Sequence, residues 1–166
     1  MNTRYRRAAQ LAALTALAAI LSYVEAMIPM SFPVAGMKCG LANVAVLFTW
    51  QRMGKGQAVV VSVARVLLLF LLFGNPVSLL FSIGGAACSL LTMLALERTH
   101  LFSCAGLSAA GGAAHNIGQV AVACAVTGVR QIAAVLPALV LFGTLCGIAT
   151  GMLASVLVRK LPKHQL

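Results

Sequence analysis

From Ala8 to Val158 long apolar runs alternate with short polar turns, and this pattern restricts the possible folds more than any other feature of the chain. Six runs are readable, at about 8–28, 35–50, 57–73, 77–96, 102–127 and 133–158. They are divided by Pro29–Gly36, by the basic turn Gln51–Gly56, by Gly74-Asn75-Pro76, by Glu97-Arg98-Thr99-His100 and by a turn around Arg130. A helix that crosses a membrane needs about 20 mostly apolar residues. The 57–73 run would be about 25 Å long at ~1.5 Å per residue, enough for a thin or locally pinched bilayer. Only 8% of the 166 residues are charged, against about 25% in a soluble domain. A soluble fold of this size has too little interior to hide so much apolar surface. The expected fold is an all-α integral membrane protein, one domain over 1–166, built as a six-transmembrane-helix bundle.

The charges suggest an orientation. With the N-terminus in the cytoplasm, Arg4, Arg6, Arg7, Arg52, Lys55, Arg98, Arg159, Lys160 and Lys163 lie at inner ends and only Arg130 lies outside. Basic residues favour the cytoplasmic side, so both termini are expected to be cytoplasmic. Tyr5 and Trp50 are placed for an interfacial aromatic belt. A basic start and Val24-Glu25-Ala26 resemble a signal-peptide cleavage site. The length of the first run and the glutamate inside that motif argue against cleavage.

Several functions are excluded by composition. The net charge of +10 forms no basic stripe with interleaved aromatics, so nucleic acid is not an expected partner. Aspartate is absent, and Glu25 and Glu97 are the only acids. Paired-carboxylate hydrolysis and aspartate-held magnesium therefore have no candidates. Gly54-Lys55 is followed by Gly56, which rules out a phosphate-binding Walker A loop. The five cysteines, Cys39, Cys88, Cys104, Cys124 and Cys146, have no C-x-x-C spacing and read as small buried hydrophobes. No metal site, no cofactor and no catalytic set is expected.

Polar groups inside the runs are the candidate site. Glu25, Lys38, Arg65 and His115 lie within spans, at mid-depth or in the outer half. An arginine at the centre of a span costs about 2.5–3.5 kcal/mol on insertion scales, and such residues usually face a cavity or a partner. In span 5, Ser108, Gly111, His115 and Gln119 form one helical stripe with Asn116 beside it. Span 2 offers Lys38, Gly40 and Asn43, and span 4 offers Ser78, Ser82, Gly85 and Ser89. Convergence of these stripes would make an outward-opening, net positive pocket suited to an anionic or zwitterionic small molecule. The alternative is a purely structural Glu25–Arg65 pair. Ala8-x-x-x-Ala12-x-x-x-Ala16 and Gly143-x-x-x-Gly147-x-x-x-Gly151 are small-residue faces that permit close helix packing, within the bundle or on a partner.

Gly36-Met37-Lys38-Cys39-Gly40-Leu41-Ala42-Asn43 and Ala114-His115-Asn116-Ile117-Gly118-Gln119 also carry a family resemblance. Ser22-Tyr23-Val24-Glu25, Arg65-Val66-Leu67 and Phe73-Gly74 support it. Over nearly its whole length the chain resembles the Gx transporter family, also labelled component I of heptaprenyl diphosphate synthase. That family is similar to the S components of energy-coupling factor importers. The resemblance implies a bacterial inner-membrane protein that binds a small molecule from outside and docks on a transmembrane coupling subunit with ATPase subunits. It also implies a docking face at Ala8, Ala12 and Ala16, and a gate in the loop Pro29–Gly36. Expected substrate contacts are Glu25, Lys38, Asn43, Arg65, His115, Asn116 and Gln119. Two other functions stay open: a non-catalytic membrane component of isoprenoid synthesis, receiving a lipid-linked substrate, and a stand-alone proton-coupled carrier.

Overall fold

The computed structural model of the protein describes residues 3–27, 40–73 and 76–161. These form six α-helices: α1 (Thr3–Met27), α2 (Ala42–Met53), α3 (Lys55–Phe73), α4 (Pro76–Glu97), α5 (Cys104–Thr127) and α6 (Leu136–Lys160). A short 3-10 turn, Arg130–Val135, leads into α6. No strand occurs among the described residues.

Four segments are long and apolar enough to cross a membrane: Arg4–Glu25, Lys55–Leu72, Pro76–Glu97 and Arg130–Lys160. The two remaining helices fall short for different reasons. α5 has 24 residues, but glycine, serine, His115, Asn116 and Gln119 dilute its hydropathy. α2 has 12 residues, or about 18 Å at ~1.5 Å per residue, less than the ~30 Å hydrocarbon layer. The described helix thus begins at Ala42, inside the expected run 35–50, and continues past it through Met53. Lys38, Cys39 and the expected gate at 29–36 lie outside the described residues.

The exterior is apolar. Leu17, Ile20, Leu67, Leu71, Leu72, Leu91, Leu141, Leu145 and Met152 all project outward, a surface that suits lipid rather than water. The interior is organised on α2, whose residues Val44 to Trp50 are all buried. α2 packs against α1, α3 and α6, while α3, α4, α5 and α6 follow one another around the bundle. Trp50 is therefore not a belt residue. It is 7% exposed and donates its indole N–H to Glu97 Oε1 at 3.2 Å. A buried indole needs an acceptor, and the end of α4 supplies one. Tyr5 does lie outside, 71% exposed.

The base of the bundle is tied by its basic turn. Lys55 Nζ meets Glu97 Oε2 at 2.8 Å, joining the start of α3 to the end of α4. Arg52 Nη2 donates to the carbonyls of Val158 and Leu161, which the end of α6 leaves without helical partners. α5 starts on Ser103, whose hydroxyl accepts from Gly106 N–H at 3.2 Å, a side-chain N-cap.

α5 is held between α4 and α6 by glycines on both flanks. Toward α6, Gly112 lies against the carbonyl of Gly143, Gly147 against Ser108, and Gly151 against Ala105. The Gly143-x-x-x-Gly147-x-x-x-Gly151 face is thus used inside the bundle. Toward α4, Gly118 lies against Gly84 and Cys88, and Gly111 against Met93 and Ser89. Close backbone approach replaces the hydrophobic drive that lipid does not supply between helices. The Ser108 and Thr150 hydroxyls, 3.1 Å apart, fasten the same seam.

A side chain at Gly147 would run into Ser108 and come within 2.7 Å of Ala109 Cα, whereas Gly56 has nothing within 4 Å. Gly147→Leu should therefore lower stability by about 1–3 kcal/mol or more through overpacking. Gly56→Ala should raise it by about 0.4–1 kcal/mol. Thermal unfolding of the two variants in one detergent should shift in opposite directions.

Candidate functional site

The interior polar groups meet in one place. A cavity of about 50 Å³ is lined by Ser22 and Glu25 of α1, Asn43 of α2, Arg65 of α3, Ser82 of α4, His115 and Asn116 of α5, and Thr150 of α6. All six helices contribute, and the glycines Gly40, Gly112, Gly143 and Gly147 complete the wall. A second cavity of about 10 Å³ lies against Asn43, Arg65 and His115 and is lined further by Ser62, Ser89 and Ser108. The stripes of α2, α4 and α5 therefore converge.

Each functional side chain is placed by local structure. Glu25 stands three residues after Ser22, so both face the same side of α1. The Glu25 carboxylate is 6% exposed, and its Oε1 accepts from Gly40 N–H at 2.5 Å. Gly40 has φ +74°, a conformation open to glycine at little cost, and it directs that amide back toward α1. Gly40 O in turn accepts from Asn43 N–H at 2.8 Å, so the glutamate holds the first turn of α2. A carboxylate there is favoured by the partial positive charge of a helix N-terminus.

Arg65 comes from the middle of α3. Its Nη1 donates to Ser22 Oγ at 3.4 Å, a long contact, and its buried Nε has no partner. The Glu25 carboxylate attracts the guanidinium electrostatically. On α5, His115 packs over Gly85 of α4, where an added methyl would come within 2.8 Å of the imidazole Cε1. Asn116 turns the other way: its amide donates to Leu139 O of α6 at 2.6 Å.

Among the residues singled out from the sequence, Glu25, Asn43, Arg65, His115 and Asn116 come together around the cavity. Gln119 is not among its lining residues, and its side chain lies across Gly85 instead. Lys38 lies outside the described residues. Ala8, Ala12 and Ala16 are exposed on α1, away from the cavity and with no helix of the bundle covering them. Ser22 and Thr150 line the cavity without having been singled out for it. Ser22 could have been found from its one-turn spacing to Glu25, and Thr150 from its place beside Gly151 on the α6 seam.

Among the described residues that line the cavity there is one carboxylate, one guanidinium and one imidazole.

A family model described as heptaprenyl diphosphate synthase component I matches residues 14–157. The chain belongs to that family, the Gx transporter family. The match runs from the middle of α1 to the last turn of α6 and includes every cavity-lining residue named above. No curated protein and no solved structure matches the chain.

Loss of the Glu25 charge should weaken the α1–α2 junction. Glu25→Gln keeps an acceptor and should cost about 0.3–1 kcal/mol, the worth of a charge at a helix N-terminus. Glu25→Ala also leaves Gly40 N–H without its acceptor and should cost about 1.5–3 kcal/mol. Unfolding midpoints of the two variants in the same detergent should fall in that order.

Proposed function

We propose that this chain is the solute-binding membrane subunit of an importer and takes a small anionic or zwitterionic molecule into the cavity around Arg65. The observation that carries this is the convergence of all six helices on Arg65, Asn43 and His115. Burying an arginine at mid-helix is costly, and a purely structural bundle would gain more from apolar residues there. The bundle crosses the bacterial inner membrane six times in this reading, with α2 in the second passage. Both termini face the cytoplasm, as the basic residues at the base favour. The cavity then opens outward.

Import needs energy, and no ATP-binding loop is present in the sequence. The partners are a transmembrane coupling subunit and its ATPases. The coupling subunit docks on the uncovered Ala8, Ala12 and Ala16 face, because small residues every fourth position let another helix approach closely. Asn116 and Gln119 serve the site less directly, by seating α5 against α6 and α4.

The family description favours a second reading, in which the chain is the membrane component that works beside a prenyl diphosphate synthase. The absence of aspartate argues that such chemistry would belong to the partner.

Affinity purification from the native host in mild detergent, with mass spectrometry of proteins and small molecules, separates the two readings. The importer reading expects an ATPase pair, a polytopic membrane subunit and a retained solute. Recovery of a prenyl synthase instead would replace it. Arg65→Ala and His115→Ala should each lose the retained solute while the protein still elutes as a folded species. Ala12→Leu with Ala16→Leu should release the partner subunits and leave the solute bound. Normal solute retention by both folded pocket variants would overturn the assignment.

A further inference from the structure

The charges around the cavity are not equally available to a ligand. Glu25 is committed to the chain itself: it is nearly fully buried and holds the Gly40 amide that opens α2. Arg65 is not committed in the same way. Of its five N–H donors, one makes a 3.4 Å contact with Ser22, and the buried Nε has no protein partner. Asn43, Arg65 and His115 line both cavities, so the guanidinium sits at their junction. Among the described residues that line them, Arg65 is the one side chain whose positive charge does not depend on pH.

From this asymmetry we infer that the site selects a monoanionic carboxylate and binds it acid group innermost, on Arg65 between Asn43 and His115. The inference rests on the solute-binding reading above and narrows its ligand class. A guanidinium offers a planar fork that matches a carboxylate in two parallel hydrogen bonds. Size agrees. A cavity of about 50 Å³ holds roughly three to five water-sized groups at ~10–15 Å³ each. That accommodates a carboxylate and the carbon or two that bear it, so the rest of the solute points toward the mouth.

Charge argues against the alternatives. A zwitterion would bring an ammonium beside Arg65, and Glu25, the one carboxylate among the described lining residues, already spends Oε1 on the α2 amide. A phosphate dianion would leave one negative charge without a fixed cation among the described lining residues, at a depth where an unpaired charge is costly.

Three matched three-carbon probes and inorganic phosphate test this on the purified full-length protein in nanodiscs of zwitterionic lipid. Thermal unfolding is followed while sodium propionate, β-alanine, propylammonium chloride or inorganic phosphate is titrated at constant ionic strength. Propionate should stabilise saturably, with an apparent Kd in the millimolar range expected of so small a ligand. The other three should require at least tenfold higher concentration. Arg65→Gln should abolish the propionate response. Arg65→Lys, which keeps the charge and loses the fork, should weaken it at least tenfold, and it provides the test if Arg65→Gln does not fold. Stabilisation by propylammonium or β-alanine without propionate would overturn the anion assignment and leave the solute-binding reading standing. Phosphate binding without propionate binding would overturn the carboxylate. An undiminished propionate response in both folded variants would overturn the placement on Arg65. No response to any probe would overturn this inference, and the retained solute in the purification above would then judge the solute-binding reading separately.

Discussion

A guanidinium at the centre of an apolar helix has to be solvated by protein, and the interior of this molecule follows from that requirement. Lipid offers Arg65 nothing, and water reaches it only through the bundle. Its surroundings are drawn from every other helix: Ser22 and Glu25 from α1, Asn43 from α2, Ser82 from α4, His115 from α5 and Thr150 from α6. Had the arginine been an isolated ion-pair partner, one acid would have been enough. The polar groups are instead spread over the whole lining, and the one acid is held by a backbone amide as well as by the field of Arg65.

Bringing polar groups from six helices to one point demands close packing, and the glycines provide it. α5 carries His115 toward α4 and Asn116 toward α6 on consecutive residues. That is possible only because both neighbours approach its backbone within the space a side chain would fill, at Gly84 and Gly85 on one flank and Gly143 and Gly147 on the other. On the α6 flank the close approach also gives polar groups partners, in the Ser108–Thr150 pair and the Asn116–Leu139 bond. In lipid such bonds contribute modestly one by one, about 0.6 kcal/mol on average. Their larger effect is to fix which face of α5 looks inward. The same geometry explains why α5 is too polar to qualify as a membrane span on its own: its two flanks are covered by protein.

Much of this was legible in the sequence, and the reason is periodicity. Apolar runs ended by charged or Gly-Pro turns give the helices, and i, i+4 stripes give the inward face of α5 and the seam on α6. What one chain does not carry is the order of helices around the bundle, because any stripe can face any other. The central position of α2 was hidden for that reason. Its run reads as apolar as a lipid-facing span, yet it is short and buried on nearly every side. Trp50 misled in the same way, since an indole near a helix end suits a membrane interface and a buried acceptor equally well. The acceptor, Glu97, is 47 residues away in sequence. Glu25 was legible as a site residue, but its hold on Gly40 depends on a backbone amide turned by a positive φ, which no side-chain pattern reveals.

That hold shapes the electrostatics of the whole cavity. A helix N-terminus carries roughly half a positive charge, and α2 points such an end at the cavity from beside Glu25. If the glutamate were left to neutralise Arg65 alone, the cavity would be close to neutral and would favour no charged solute. Part of its charge is instead balanced by the α2 terminus, so Arg65 is left under-compensated in a region of low dielectric, where each unbalanced charge counts most. The bond between Glu25 and Gly40 also pins the end of α1 to the start of α2. One glutamate thereby bears both on the charge balance of the cavity and on the seating of α2. A carboxylate bound to a backbone amide at a helix N-terminus keeps its charge at little cost even when buried, and that is why an acid can stand in this wall at all.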